Sequence, residues 1–370
     1  MLRVLITADT VGGVWTYARE LVTGLSRRGA HVTLVSFGHM PEPRDLAWTE
    51  GLRNFDIRPT AFGLEWMQDS AQDIEASSEY LLNVIRDVKP DVLHLNQYCY
   101  GALDVDIPKV VVAHSDVVSW WVAVHGQEPP ETDWIRWYRE VVQQGLSGAT
   151  SVLAPSRWML SQIETYYGEQ QSAQVIYNGR SPQWFNPHGD KENLVLTVGR
   201  LWDPAKQVSL LAKCDCGWPS IIAGETQHPD QAYRTETKRI VCEGMLELKG
   251  KQTPEQLRVL FARTAIYAAT SRYEPFGLAP VEAALSRCAI VANDLPVFRE
   301  LWGEAACYFR TDDVASLRAT IAALRHDRNR LRQQAELAYQ RARRHFSAER
   351  MVDEYLEMYQ ALSAKRLIAA

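Results

Sequence analysis

The chain has 370 residues, more than one hydrophobic core ordinarily organises, and so suits two domains. With 46% hydrophobic and 23% charged residues it has the make-up of a soluble globular protein, and a net charge of −5 gives no general basic face for nucleic acid. No apolar run approaches the roughly 20 residues of a membrane span, and the start, MLRVLITADTVGG, lacks a signal-peptide shape because its short apolar run enters a glycine loop.

In chain order, the short apolar run RVLITA (3–8) predicts a buried strand, TADTVGG a loop, and WTYARELVTGLSRRG (15–29) a helix with a glycine stop. HVTLVSF is the second strand. Further strands are expected at DVLHLN (91–96), KVVVAH (109–114), SVLAP (151–155) and QVIYN (174–178), with helices such as EYLLNVIRDV and DWIRWYREVVQQGL between them. Such βα alternation predicts a parallel sheet covered on both faces. Periodicity stops in NGRSPQWFNPHGDKEN (178–193), a linker by its breakers and polar residues. It restarts with NLVLTVGRL, followed by strands at SIIAG, AIYAAT and AIVAND. The chain closes on helical VASLRATIAALRHD, NRLRQQAELAYQRARRHF and SAERMVDEYLEMYQAL. Cysteines at 99, 214, 216, 242, 288 and 307 are scattered, as reduced cytosolic thiols are, and the lone Cys214-x-Cys216 has no second pair to make a metal site.

Charged and glycine motifs follow strand ends, where ligands of α/β folds collect. In TVGGVW, Gly12 and Gly13 would let backbone approach an anion at a helix start, or simply make a tight turn. The dinucleotide fingerprint G-x-G-x-x-G is missing, which disfavours a nicotinamide-dependent oxidoreductase. In VGRLWDPAKQV, Arg200 and Lys206 suit a diphosphate if they face a site, and are solvated surface charges if they do not. His114 ends one strand and is either a site residue or a hydrogen-bonded structural one; His94 reads as a satisfied sheet-end histidine. In SRYEPFGLAPVEAAL, Glu274 falls in a loop and Pro280 in the first turn of a helix. Glu282 is then also expected in that first turn, where the helix dipole favours an anion. The two glutamates therefore lie on different elements and need not be an acid–base pair.

Taken together, EPFGLAPVE with its E-x7-E spacing, VGRLWDPAK upstream, GGVWTYARELVTGLSRRGAHVTLV at the start, APSRWMLSQI, VIYNG, NDLPVFRELWGEAACYF and the closing FSAERMVDEYLEMYQAL resemble the family-4 retaining glycosyltransferases of the GT-B fold. The resemblance runs in order along nearly the whole chain. It implies an α/β protein of two Rossmann-like βαβ domains facing across a deep cleft, with a C-terminal helix crossing back to the N-terminal domain. The expected bounds are 1–185 for an acceptor-side domain, 186–347 for a nucleotide-sugar-binding domain, and 348–370 for the returning helix.

By the same resemblance, Arg200 and Lys206, entered through Gly199, would neutralise the diphosphate of a nucleotide sugar as its glycosidic bond breaks. Glu274 would hold hydroxyls of the transferred sugar, helped by backbone N–H groups of Phe276, Gly277 and Leu278. Glu282 would accept from the ribose. Gly13, beside Gly12, would bring its amide to the diphosphate or sugar, and His114 would contact the sugar near the reacting centre. His114, Arg200, Lys206 and Glu274 are thus the catalytic candidates. The implied reaction is hexosyl transfer with retention from a nucleotide sugar, UDP- or GDP-sugar first, to a hydroxyl of a saccharide, lipid-linked or small-molecule acceptor. It needs no metal and no cofactor, the nucleotide sugar being a co-substrate. A cytoplasmic place follows, with peripheral contact at the inner membrane face left open.

Departures from the family pattern bear on these expectations. LSRCAIV, with Arg287 and Ala289, stands where a small Gly and a Pro are usual, and SIIAGETQHPDQAYRTETKR shortens a region expected to affect nucleobase contacts. Trp120, Trp121, Trp134 and Trp137 could stack on an acceptor, although helically spaced aromatics are more often core. A glycoside phosphorylase, a sugar-nucleotide epimerase, or a non-catalytic nucleotide-sugar-binding protein are the alternative readings. Oligomeric state and the acceptor are not legible.

Overall fold

The computed structural model describes residues 1–10, 12–227 and 245–369. Residues 228–244, which include Cys242 and most of the shortened region, lie outside the described residues. The chain divides into two compact units. One comprises Met1–Val122, Gln127–Gly179 and Ala348–Ala370; the other comprises Arg180–Ser347 with Ala123–Gly126. Residues 180–185, assigned from the sequence to the first domain, thus belong to the second.

In the first unit the strands are β1 (Arg3–Asp9), β2 (His31–Phe37), β3 (Phe55–Pro59), β4 (Val92–Leu95), β5 (Lys109–Val112), β6 (Ser151–Ala154) and β7 (Ala173–Val175). Its helices are α1 (Gly13–Arg27), α2 (Pro43–Leu46), α3 (Ala71–Val88), α4 (Val117–His125, whose last residues group with the second unit), α5 (Asp133–Gly148) and α6 (Arg157–Tyr167). All strand pairs are parallel, in the order β3-β2-β1-β4-β5-β6-β7. Successive residues of a strand face opposite ways. Leu5 therefore packs with Val35 and Leu93 on one side of the sheet, and Val4 and Ile6 with Val32 and Val92 on the other. Burial of both faces explains why these strands read as unbroken apolar runs.

The second unit holds β8 (Glu192–Val198), β9 (Ser220–Ala223), β10 (Leu246–Gly250), β11 (Thr264–Ala269), β12 (Ala289–Asn293) and β13 (Ala306–Phe309). Helices α7 (Ser209–Ala212), α8 (Pro254–Arg263), α9 (Leu278–Leu285), α10 (Pro296–Trp302), α11 (Val314–His326) and α12 (Arg328–His345) surround them. Among the described residues this sheet is six-stranded and parallel, in the order β10-β9-β8-β11-β12-β13. Both sheets share one plan: the chain winds outward from β1 or β8, then returns to continue on the other side at β4 or β11. Ligands of such sheets bind at the carboxyl ends of the strands where the order reverses.

The last helix, α13 (Ala348–Ala369), packs on the first unit. Met351, Val352, Tyr355, Met358 and Tyr359 join the core beneath α1. Gly24 on α1 allows the approach, since a Cβ there would lie 2.4 Å from Cγ2 of Val352. Nη2 of Arg28 adds an ion pair with Asp353 at 2.6 Å. Among the described residues no helix is long and apolar enough to cross a membrane.

Candidate functional site

In the second unit the chain leaves β8 through Gly199. Its N–H donates to Ala223 O at 2.9 Å, and the backbone is so close to β9 that a Cβ on Gly224 would sit 1.8 Å from Gly199 O. A Cβ on Gly199 itself would meet Lys206 Cβ and Val208 Cγ1 at 3.1 Å. The loop beyond is folded around Asp203, which is buried. Its Oδ1 accepts from Ala205 N at 2.9 Å and its Oδ2 from Arg200 Nη2 at 2.7 Å. The Arg200 guanidinium also stacks over Trp202 at 4.7 Å. Thr270 Oγ1 and Arg272 N, just past β11, donate to the carbonyls of Lys206 and Ala205, so the loop is tied to the next strand end.

Those ties bring Lys206 to Glu274. Nζ of Lys206 lies 2.8 Å from Oε2 of Glu274, which also accepts from Ser271 Oγ at 3.0 Å. Asn293 Nδ2, at the end of β12, holds the Ser271 carbonyl at 3.2 Å. The chain then turns at Gly277, whose φ of +88° favours glycine, and enters α9 at Leu278. The first N–H groups of a helix have no intrahelical partner, so the Leu278 amide is a donor available at this corner. Phe276 is buried edge-on against Phe346.

Glu282 departs from its expected place. The helix begins at Leu278, so Pro280 is its third residue and Glu282 lies past the first turn, beyond the strongest reach of the dipole. A side-chain cation takes over: Nε of Arg180 stands 2.8 Å from Oε1 of Glu282, both side chains mostly buried. Arg180 was not legible as a site residue, because the ion pair joins segments far apart in the chain. Glu274 and Glu282 thus answer to different cations. At the other end of α9, Arg287 adopts φ +57°, stacked 4.3 Å over Tyr339 and paired with Glu336.

In the first unit, Gly12 takes φ +109° and caps α1, which starts at Gly13. His114 follows β5, half-buried, with Nε2 at 2.8 Å from Asn96 Oδ1. Burial, with the neighbouring His94 in second place, pushes its pKa down to about 3. His94 is the structural histidine that its sequence position suggests: it is wholly buried against Tyr17 and Tyr359, and burial holds it neutral. Asn96, two residues further on, lacks any sequence signal beyond its place at a strand's carboxyl end. Trp134 packs edge-tilted on Tyr138 and donates Nε1 to Met67 O, as core aromatics do.

In each sheet these groups collect at the point where the strand order reverses: Gly12 and Gly13 after β1, Asn96 after β4, Arg200 and Lys206 after β8, Glu274 after β11. In the second unit, Arg200 and Lys206 after β8 and Glu274 after β11 offer cations, a carboxylate and nearby backbone donors, a set that suits a phosphorylated sugar compound.

Comparison with known proteins identifies the family. Residues 11–184 match the model of Glycosyltransferase Family 4, and residues 182–341 that of Glycosyl transferases group 1. The chain is 28% identical over 197 residues to the O-antigen chain mannosyltransferase RfbU of Salmonella typhimurium, covering 50% of this chain and 54% of that one. It is 27% identical over 218 residues to the lipopolysaccharide core biosynthesis mannosyltransferase LpsB of Rhizobium meliloti, covering 51% and 60%. The chain therefore spans little more than half the length of these relatives. Among solved structures, a sucrose-phosphate synthase from Thermosynechococcus elongatus superposes with TM-score 0.81 at 16% identity, over 99% of this chain and 100% of that one. HepE from Anabaena, solved with UDP and glucose, gives 0.74 at 16% identity, over 98% and 100%. With two parallel Rossmann-like domains and two family models matching in succession, the chain belongs to the family-4 glycosyltransferases of the GT-B fold.

Proposed function

We propose that the protein is a retaining hexosyltransferase that moves a hexosyl group from a nucleotide-diphosphate sugar to an acceptor hydroxyl. The observation that carries this reading is the contact of Lys206 Nζ with Glu274 Oε2 at 2.8 Å, beside Arg200 at the switch point of the second sheet. A cation for a leaving diphosphate and a carboxylate for sugar hydroxyls thus stand together. Glu282 is assigned to the ribose, with Arg180 holding its other edge. Gly13 and His114 keep the donor contacts that the family resemblance gives them.

In the proposed reaction the bond from the anomeric carbon to the phosphate oxygen breaks, and its electron pair leaves with the nucleoside diphosphate. The acceptor oxygen bonds to the same face of the sugar, and its proton passes to the departing phosphate. Negative charge grows on the leaving group, and Arg200 and Lys206 stabilise it from fixed positions. These side chains supply the charge a divalent ion would otherwise supply, so the reaction is proposed to run without metal. A double displacement would need a nucleophile on the opposite face; neither glutamate is assigned to that task, each being engaged with its own cation.

Mannosyltransferase relatives favour a mannosyl donor, and one, from Xanthomonas oryzae pv. oryzae, is named for GDP-mannose. HepE, solved with UDP-glucose, keeps a UDP-sugar as the second candidate. A thermal-shift panel of UDP-, GDP- and ADP-sugars tests donor binding, because a ligand of the native state raises stability by mass action. Release of nucleoside diphosphate in step with a glycosylated acceptor distinguishes transfer from epimerisation or phosphorolysis. No shift with any of these donors would remove the reading.

A further inference from the structure

Asn96 follows β4, with its side chain buried between two histidines and the neighbouring strand. Its Nδ2 donates to Thr7 O at 2.6 Å, and its backbone N–H to Thr7 Oγ1 at 3.0 Å. The Thr7 carbonyl fixes which way the amide points, since turning it over would set two oxygens against each other with no proton between them. Oδ1 therefore faces the other side. There it meets Nε2 of His94 at 3.1 Å and Nε2 of His114 at 2.8 Å. An amide oxygen has no proton to give, so both rings must donate from Nε2. A neutral imidazole protonated at Nε2 is bare at Nδ1. In His94 that bare nitrogen accepts from the Tyr359 hydroxyl at 2.6 Å. In His114 no described residue pairs with it.

We propose that Asn96 is a positioning residue that locks His114 in the Nε2–H tautomer, so that the ring presents Nδ1 as a hydrogen-bond acceptor to a hydroxyl of the transferred sugar. The sugar rests on the function proposed above; the tautomer does not. Besides each other, the two rings face phenols among the described residues: Tyr17 from α1, against both and edge-on to His114 at 4.5 Å, and Tyr355 and Tyr359 from α13 against His94. Burial keeps both rings neutral, and for His114 the neighbouring His94 adds to it. His114 then has no proton facing the ligand and cannot act as an acid toward a leaving phosphate. Its work is to select a hydroxyl donor and hold it. Tyr359 extends the chain of hydrogen bonds back to α13, which gives the last helix a part in fixing a ring it does not touch.

Long-range proton–nitrogen correlation spectra of the nitrogen-15-labelled full chain read the tautomer of each ring, with His114→Gln supplying the assignment. The expected result is a proton on Nε2 of His114 alone, unchanged from about pH 5 to pH 8. Asn96→Asp keeps the shape but sets a carboxylate against both rings, which favours the imidazolium. In that variant His114 is expected to titrate near neutral pH, and turnover of the nucleotide sugar to fall as pH drops and recover as it rises. A merely structural role for Asn96 would give no such recovery. A wild-type proton on Nδ1, or an Asn96→Asp pH profile that follows the wild type's, would overturn the inference. Should the variant fail to fold, the wild-type spectrum decides alone. Should no nucleotide sugar be turned over, the proposed function fails while the tautomer spectra still judge this one.

Discussion

Lys206 and Glu274 lie 68 positions apart in the chain, yet Nζ of one sits 2.8 Å from Oε2 of the other. The pair is only partly exposed, at 22% and 15% of the side chains, and its members have opposite assignments: one for phosphate, one for sugar. Under the proposed function, a bound donor would replace this contact with its own diphosphate and sugar hydroxyls. Lys206→Met removes the charge and keeps the stem, and its expected effect is a kcat lower by about 100- to 1000-fold. Steady-state kinetics at saturating donor measures this, alongside a thermal melt to confirm folding. Unchanged turnover would remove Lys206 from the diphosphate role.

The Arg180–Glu282 pair makes a different demand. With side chains 12% and 13% exposed, neither partner is easily left alone, and Arg180→Ala should lower stability by about 2–4 kcal/mol. Glu282→Gln keeps the volume and should chiefly weaken binding of the free nucleoside diphosphate. Urea unfolding measures the first and calorimetric titration the second. If Glu282→Gln bound the diphosphate as wild type does but discriminated differently among sugars, the ribose assignment would give way to a sugar contact.

Legibility followed burial. Strands such as β1, β2, β8 and β12 are covered on both faces and stand out as apolar runs. Three strands carried no such signal. Among the described residues β3 (FDIRP) and β10 (LELKG) are sheet edges with charges alternating along them, and β13 (ACYF) is short and adjoins the helical turn after α10. The site was half legible for a similar reason. Glu274 and Lys206 sit in loops just after strands, where position alone suggests chemistry. Arg180 pairs with Glu282 and Asn96 is held by Thr7, partners far along the chain, and nothing local announces either. The first-turn place of Glu282 was misjudged because Pro280 looked like a helix start. The glycine at 277, with its left-handed backbone, sets the start two residues earlier.

Gly24 offers a test of how α13 is docked. Glycine inside a helix costs about 1 kcal/mol relative to alanine, so its presence in α1 needs a compensating contact. The space is already filled by Val352, whose Cγ2 would be 2.4 Å from a new Cβ. Gly24→Ala is therefore expected to destabilise by about 1–3 kcal/mol despite its better helix propensity. Val352→Ala alone opens a cavity and also destabilises. Combined, the two should cost less than their sum, by about 1 kcal/mol or more. Additive costs in urea unfolding would mean that the helices do not share this contact.

Acid should unsettle the first domain before its carboxylates titrate. Burial lowers the His94 pKa from 6.5 to about 3, and His114 moves in the same direction. Between those values the unfolded chain binds protons that the native chain refuses. Stability therefore rises with pH across that window, is complete above the unfolded value, and is lost progressively as pH falls toward 3. From about pH 7 to pH 5.5, above the ordinary carboxylate range, histidines account for most of the change. The loss should steepen toward about 1.4 kcal/mol per pH unit for each histidine kept neutral. His94→Leu removes one such proton along with its bonds to Tyr359 and Asn96, so it should be less stable at pH 7 and less sensitive to acid. Urea midpoints across this range give both quantities, and a wild-type midpoint flat from pH 7 to pH 5.5 would mean that the rings accept protons in the folded state.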